Sequence, residues 1–145
     1  MVINRLREKR MRKQELPRGL RNNNPGNIRH NSDVFQGEVN PSRDKEFKQF
    51  KTAAHGYRAV FKILSNYYRK YSLTTIRKMI GRWAPENENN TAAYVSLVSS
   101  YSGIGPDDQI SFDREQMIRI VAGMSKVENG RDAVMSDVIA GWGLL

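Results

Sequence analysis

A mainly α-helical domain with one small antiparallel β-sheet is the fold class this sequence predicts, and three observations carry it. From residue 52 onward, apolar residues recur at the three-and-four spacing of amphipathic helices. Residues 28–50 instead hold short apolar runs broken by Gly37 and Pro41, the pattern of hairpin strands. Finally, 145 residues with 39% apolar content suffice to bury one core. No stretch approaches the roughly 18 apolar residues that span a bilayer, so no membrane span is expected.

A basic arm at 1–17 precedes a single domain at 18–145. Residues 1–21 hold eight Lys and Arg against Glu8 and Glu15, which places six of the nine net positive charges there. Such an arm attracts polyanions, whether nucleic acid, anionic lipid or a bacterial cell wall, through charge that salt screens. The alternative reading is a solvated helical tail. No aromatic residue interrupts the arm, so it lacks the stacking platforms of single-strand binders. About three net charges remain for the body, which argues against a domain built around phosphates and leaves nucleic-acid contact nonspecific. The arm is also charged where a signal peptide needs an apolar stretch, so no export signal is expected.

Asn22-Asn23-Asn24-Pro25-Gly26-Asn27 reads as a turn cluster, because Asn tolerates left-handed backbone, Pro fixes φ and Gly frees it. The segments 28–30, 34–39 and 46–50 then predict a two- or three-stranded antiparallel sheet. Thr52 caps a helix whose inward positions are Tyr57, Val60, Phe61, Leu64, Tyr68 and Tyr71. A shorter helix runs from Thr74 or Thr75 through Ile76, Met79 and Ile80 to Trp83, ending before Pro85. The loop 86–90 leads to a helix from Thr91 to about Tyr101, broken by Gly103, Gly105 and Pro106. Ser111 or Asp113 starts a helix carrying Met117, Ile118, Ile120, Val121, Met124 and Val127, closed by Gly130. The last helix spans about Val134 to Trp142.

Which side chains could do chemistry? Zero Cys removes disulfides, thiol nucleophiles and zinc-thiolate sites, and His30 and His55 are too few for most metal centres. No metal or cofactor is expected, and neither His is given a catalytic role. Glu128 lies eleven positions after Met117, about 1100° of helix, and so falls within about 20° of that residue's direction. It extends the Met117, Val121, Met124 stripe. A carboxyl ending an apolar face loses part of its water, and a desolvated carboxyl holds its proton more readily, as a general acid must. A frayed terminus that swings Glu128 into water is the competing reading. Glu86 and Glu88 lie in a loop of amides between Trp83 and Tyr94, a combination suited to sugar recognition. Carboxylates before a helix also complement its dipole, which accounts for Glu86 and leaves Glu88 a loop-borne candidate.

The run Arg18-Gly19-Leu20-Arg21-Asn22-Asn23-Asn24-Pro25-Gly26-Asn27-Ile28-Arg29 is long and unusual. With Phe35-Gln36-Gly37, Gly56-Tyr57-Arg58-Ala59, Arg82-Trp83-Ala84-Pro85 and Glu128-Asn129-Gly130, it resembles a family of small phage and prophage proteins described as virion structural or lysozyme-like, peptidoglycan-degrading proteins. The similarity covers nearly everything after residue 17. The apolar helix ending in Glu128 also resembles the acid-bearing helix of lysozyme-like transglycosylases. There the helix precedes the β-hairpin; here it follows it, which implies a circularly permuted lysozyme-like fold. The resemblance implies that Glu128 is the general acid and that Asn24, Asn27, Trp83 and Tyr94 line a saccharide groove.

On that basis the expected activity is that of a glycosidase, muramidase or lytic transglycosylase, acting on peptidoglycan glycan strands. A second carboxylate such as Glu88 facing Glu128 would give hydrolysis, and its absence would give an anhydro-sugar product. The alternative is a non-catalytic virion structural or wall-binding module, since fold does not imply function. Other virion proteins are further partners implied by the resemblance. The protein would then be virion-associated, or made in the bacterial cytoplasm and delivered to the wall. Deleting residues 1–16 is expected to leave a folded domain whose polyanion binding is weaker and less salt-dependent, measured as the slope of log affinity against log salt.

Overall fold

Helix α2 (Ala53–Tyr71), at 19 residues, is the longest element among the described residues. The structure is a computed structural model that describes residues 15–145, so most of the basic arm lies outside the described residues. In chain order it comprises α1 (Arg18–Arg21), β1 (Glu38–Val39), β2 (Gln49–Phe50), α2, α3 (Ile76–Trp83), α4 (Thr91–Ser102), α5 (Arg114–Asn129) and α6 (Met135–Gly143). The mainly helical class with a minor antiparallel sheet is therefore what the chain adopts. Residue Glu38 faces Phe50 and Val39 faces Gln49, while a single bridge joins Arg29 to Phe47.

Local chemistry explains the helix limits. Thr52, Thr75, Asn90 and Asp113 each accept a hydrogen bond from the backbone N–H three residues on, satisfying one of the free donors of a first turn. Gly130 ends α5 with a left-handed φ of 70°. The four-residue α1 is too short to carry a periodic signal, and the sequence does not announce it.

The core is continuous from β2 through α2 to α5, built on Phe50, Phe61, Leu64, Ile80, Ile120 and Met124. Helix α6 packs along α2, and α4 along α5. A Cβ on Gly141 would stand 2.6 Å from the Tyr57 Cβ, so glycine is what permits the close α2–α6 crossing. Across the α2–α5 contact, the buried Tyr57 hydroxyl and Ser125 Oγ share a hydrogen bond of 2.8 Å.

The hairpin is fastened to α1 by charge. Arg18 donates from Nε and Nη2 to the two carboxylate oxygens of Asp44, both at 2.7 Å, and its guanidinium lies 4.7 Å from the Phe47 ring centroid. Asn22 and the backbone N–H groups of Glu46 and Phe47 donate to the same carboxylate. The Arg18 guanidinium, helped by those donors, holds the Asp44 carboxyl well below the usual carboxylate range. A depressed carboxyl adds stability above its unfolded pKa and loses it as pH falls through the folded one. Arg18→Ala is therefore expected to lower Tm by several degrees at pH 7. That difference should shrink progressively below about pH 4, where the unfolded Asp takes up its proton, as a pH series of thermal melts would show.

Candidate functional site

Residues 22–28 cross the end of α5 as a loop in which Asn23 and Asn27 take left-handed φ of 52° and 50°, the conformation an Asn-rich turn permits. The loop is bound on both sides. Phe50 N–H donates to Asn22 O at 2.9 Å, joining it to the sheet. Asn129, at the end of α5, donates from Nδ2 to Pro25 O at 2.8 Å and to Ser125 O at 2.9 Å. The loop is kept close by glycines: a Cβ on Gly56 would meet Asn23 O at 2.0 Å, and one on Gly19 would meet Asn27 Oδ1 at 2.5 Å and Asn129 Oδ1 at 2.6 Å. Asn129 Oδ1 is buried without a hydrogen-bond partner. It faces the Gly19 Cα, where it can accept only a weak C–H contact.

This docking places Asn27 against Glu128. Asn27 Nδ2 lies 3.2 Å from Glu128 Oε1. On the other oxygen, Tyr94 Oη donates at 2.9 Å and Trp83 Nε1 at 3.3 Å. Four elements thus converge on one carboxyl: the loop, the end of α3, the first turn of α4 and the last turn of α5. Thr91 Oγ1 donates to Ala84 O and closes the corner between α3 and α4 that presents Trp83 and Tyr94 together. Burial first, then the Glu128 charge, pushes the Tyr94 phenol well above its ordinary value, so Tyr94 stays the donor of the pair.

The carboxyl opens onto a cavity of about 1100 Å³, running from the loop and hairpin to α2 and α3. Asn27, Trp83, Glu88 and Glu128 all line it. Tyr94 lies behind Glu128, buried, and reaches the cavity only through that carboxyl. Glu88 is exposed on the rim, and its carboxyl has no hydrogen-bond partner among the described residues. Glu86 is likewise exposed but outside the lining.

Asn24 departs from its expected place in the groove. It is fully buried, donating from Nδ2 to Ile28 O and Lys48 O and accepting from Ile28 N–H, all at 2.9 Å. Its amide replaces the backbone pairing that the turn interrupts, so none of it is left for a ligand. His30 and His55 bind local oxygens, Asp44 O and Thr52 Oγ1, at 2.8 and 2.7 Å. Among the described residues no group of three or more His, Asp or Glu side chains could hold a metal ion, and no helix is long and apolar enough to cross a membrane.

Two residues that matter here carry little sequence signal. Asn129 lies in Glu128-Asn129-Gly130, but its partner Pro25 is more than a hundred positions away. Gly19 looks like an ordinary turn glycine until its neighbours are known.

The arrangement defines a helical protein with one partly buried carboxyl held by amide, indole and phenol donors at the side of a cleft. No protein-family model matches the chain. Over 128 residues the chain is 40% identical to Protein P5 of Pseudoalteromonas phage PM2, a span covering 86% of this chain and 79% of that protein. It belongs to the family of that phage protein.

Asn129→Ala would leave the buried Pro25 O without its donor, while Ser125 O keeps its helical partner. A loss of about 1–3 kcal/mol in unfolding free energy is expected by chemical denaturation, with faster hydrogen exchange at the Asn27 and Ile28 amides.

Proposed function

We propose that this phage-related chain is a peptidoglycan-cleaving glycosidase in which Glu128 is the general acid. One observation carries the reading: the Glu128 carboxyl, at the wall of a cleft large enough for several sugar rings, is fixed by three donors and still has a free acceptor site. A carboxyl has about four lone-pair positions. Trp83 and Tyr94 occupy both on Oε2, and Asn27 occupies one on Oε1. The remaining position on Oε1 is where a transferable proton would sit, fixed in direction by the other three bonds.

Glycoside cleavage requires protonation of the leaving oxygen as the C1–O bond breaks, followed by capture of the oxocarbenium-like centre. Glu128 supplies the proton from Oε1. Capture by water needs a second, positioned carboxylate, and Glu88 is the exposed candidate in the same lining. Its side chain is exposed and unanchored, whereas Glu128 is held on three sides. The single held carboxyl favours the other route. There the C6 hydroxyl of the same aminosugar attacks C1 and gives its proton back to Glu128, forming a 1,6-anhydro ring and restoring the acid. A circularly permuted lysozyme-like arrangement fits this reading, with Phe35 and Phe47 of the hairpin region and Glu128 of α5 lining one cleft.

Glu128→Gln keeps the size and removes the transferable proton. Lytic activity on purified peptidoglycan should fall by about 10²–10⁴-fold with the fold retained. Glu88→Gln should keep activity within about ten-fold, and mass spectrometry of released muropeptides should find fragments lighter by one water than hydrolytic ones. Hydrolytic products, with Glu88→Gln inactive, would restore the two-carboxylate mechanism. Binding without cleavage by the parent on several wall chemotypes would make the domain a wall-binding module.

A further inference from the structure

The cleft has a second wall that the chemistry at Glu128 does not use. Along α2, Arg58, Lys62, Asn66 and Lys70 follow one another at four-residue intervals, and all four line the cavity. Steps of four residues make a slowly drifting row along one helix face, with Lys62 and Lys70 about 12 Å apart along the axis. Both lysines are exposed, and neither has a carboxylate within salt-bridge distance among the described residues. Arg82 joins the same side, its guanidinium stacked 3.9 Å from the Tyr71 ring centroid and 5.3 Å from that of Tyr67.

Carboxylates do line the cavity, but they are not positioned to neutralise this row. Asp33, Glu88 and Glu128 are its acidic lining, and none of them forms an ion pair with these cations. Glu128 is held by neutral donors instead. Like charges at four-residue spacing, such as Arg58 and Lys62, weaken a helix slightly. A guanidinium held over two tyrosines has its orientation fixed, and the N–H donors not turned to Tyr67 remain for a planar acceptor. Cations kept unpaired along a cleft raise the local concentration of anions and select an anionic occupant.

We propose that this row, with Arg82, is an anion subsite of the cleft that takes the peptide-stem carboxylates of a glycan strand. The inference rests on the glycosidase reading of Glu128, and the shared cleft is what selects the source of the anion. The negative charge must hang from the polymer whose sugar ring lies against Glu128, and it must reach sideways to α2. Stem peptides, attached to the sugars and ending in carboxylates, meet both conditions; a separate phosphate polymer meets neither.

The test uses the full chain carrying Glu128→Gln, so that binding is read without turnover. The ligands are soluble peptidoglycan strands with intact stems and the same strands after amidase removal of the stems and amidation of the lactyl carboxylates that this cleavage frees. Lys62→Gln/Lys70→Gln is compared with Lys45→Gln/Lys78→Gln, which removes the same charge at exposed positions outside the cavity lining. The first pair should weaken binding of stem-bearing strands by about ten-fold relative to the second, the scale of two partly exposed charge pairs, and flatten its salt dependence. The gap between the pairs should narrow on stem-free strands. Equal losses for both pairs, or an equal effect on both strand types, would overturn the subsite while leaving the Glu128 reading intact. No binding of either strand by the Glu128→Gln chain would remove both. If duplex DNA binds more tightly than either strand and the Lys62/Lys70 pair is what weakens it, the row is a nucleic-acid surface and the proposal fails.

Discussion

The site depends on one side-chain amide, Asn129, which joins segments more than a hundred residues apart. Its Nδ2 bonds Pro25 O and Ser125 O together, tying the 22–28 loop to the end of α5. The Asn27 side of Glu128 is downstream of that contact, while Trp83 and Tyr94 are presented by the corner that Thr91 closes. Asn27 reaches the carboxyl because Pro25 is held, and Gly19 and Gly56 carry no Cβ because the loop must lie flat against α1, α2 and α5. The interaction is buried, so its loss leaves Pro25 O unpaired in a dry interior instead of exchanging one hydrogen bond for water. Long-range closure of this kind costs chain entropy that only the assembled core offsets. The geometry at Glu128 is accordingly a property of the whole fold.

The same dependence explains what could be read from the sequence. The helices from Thr52 onward were legible because their determinants are local: Thr52, Thr75, Asn90 and Asp113 as caps, Gly130 as a stop, and apolar stripes between them. Placing Glu128 on the Met117–Met124 face needed only the helical repeat, and the structure does put it beside Trp83 and near the loop. Asn24 shows where such reasoning ends. Asn24 and Asn27 are equivalent as turn residues, yet one amide is consumed by Ile28 and Lys48 while the other faces the cleft. The difference comes from a β-strand pairing twenty residues downstream, which no spacing rule within the turn contains. The row Arg58, Lys62, Asn66 and Lys70 on α2 carries no signal of its own in the sequence, because its meaning depends on which face the cavity occupies.

The hairpin supplies a second, electrostatic constraint. Lys48 is almost wholly buried and forms a 2.7 Å ion pair with Glu38, whose side chain is also nearly inaccessible, and it donates to Asp33 O at 2.8 Å. A buried pair of this kind brings less net stability than its short distance suggests, because both ions lose water. What it does impose is register. Glu38 also accepts from Phe35 N–H, so the pair fixes the 33–38 turn and with it the Phe35 edge of the cavity. Together with Arg18 and Asp44 at the opposite end, it gives a two-residue-per-strand sheet, too short to hold itself, a defined position beside α2.

Why, then, would a chain retain Glu128 at all? A carboxylate in the last turn of a helix sits at the negative end of the helix dipole, where a cation is the stabilising choice. Its three donors come from three other elements, and each is a polar group that must itself be partly desolvated to reach it. An apolar residue continuing the Met117, Val121, Met124 stripe would pack the same end of α5 without needing any of them. Local rules are broken at sites where something other than stability is being held. Here the carboxyl, its indole, phenol and amide partners, and the cleft onto which its one free acceptor position opens are the features that stability alone does not explain. The unpaired cations on the facing helix are another. Both departures line one cavity, so a single occupant that meets a held carboxyl and a row of cations, as the proposed glycan strand would, accounts for them together.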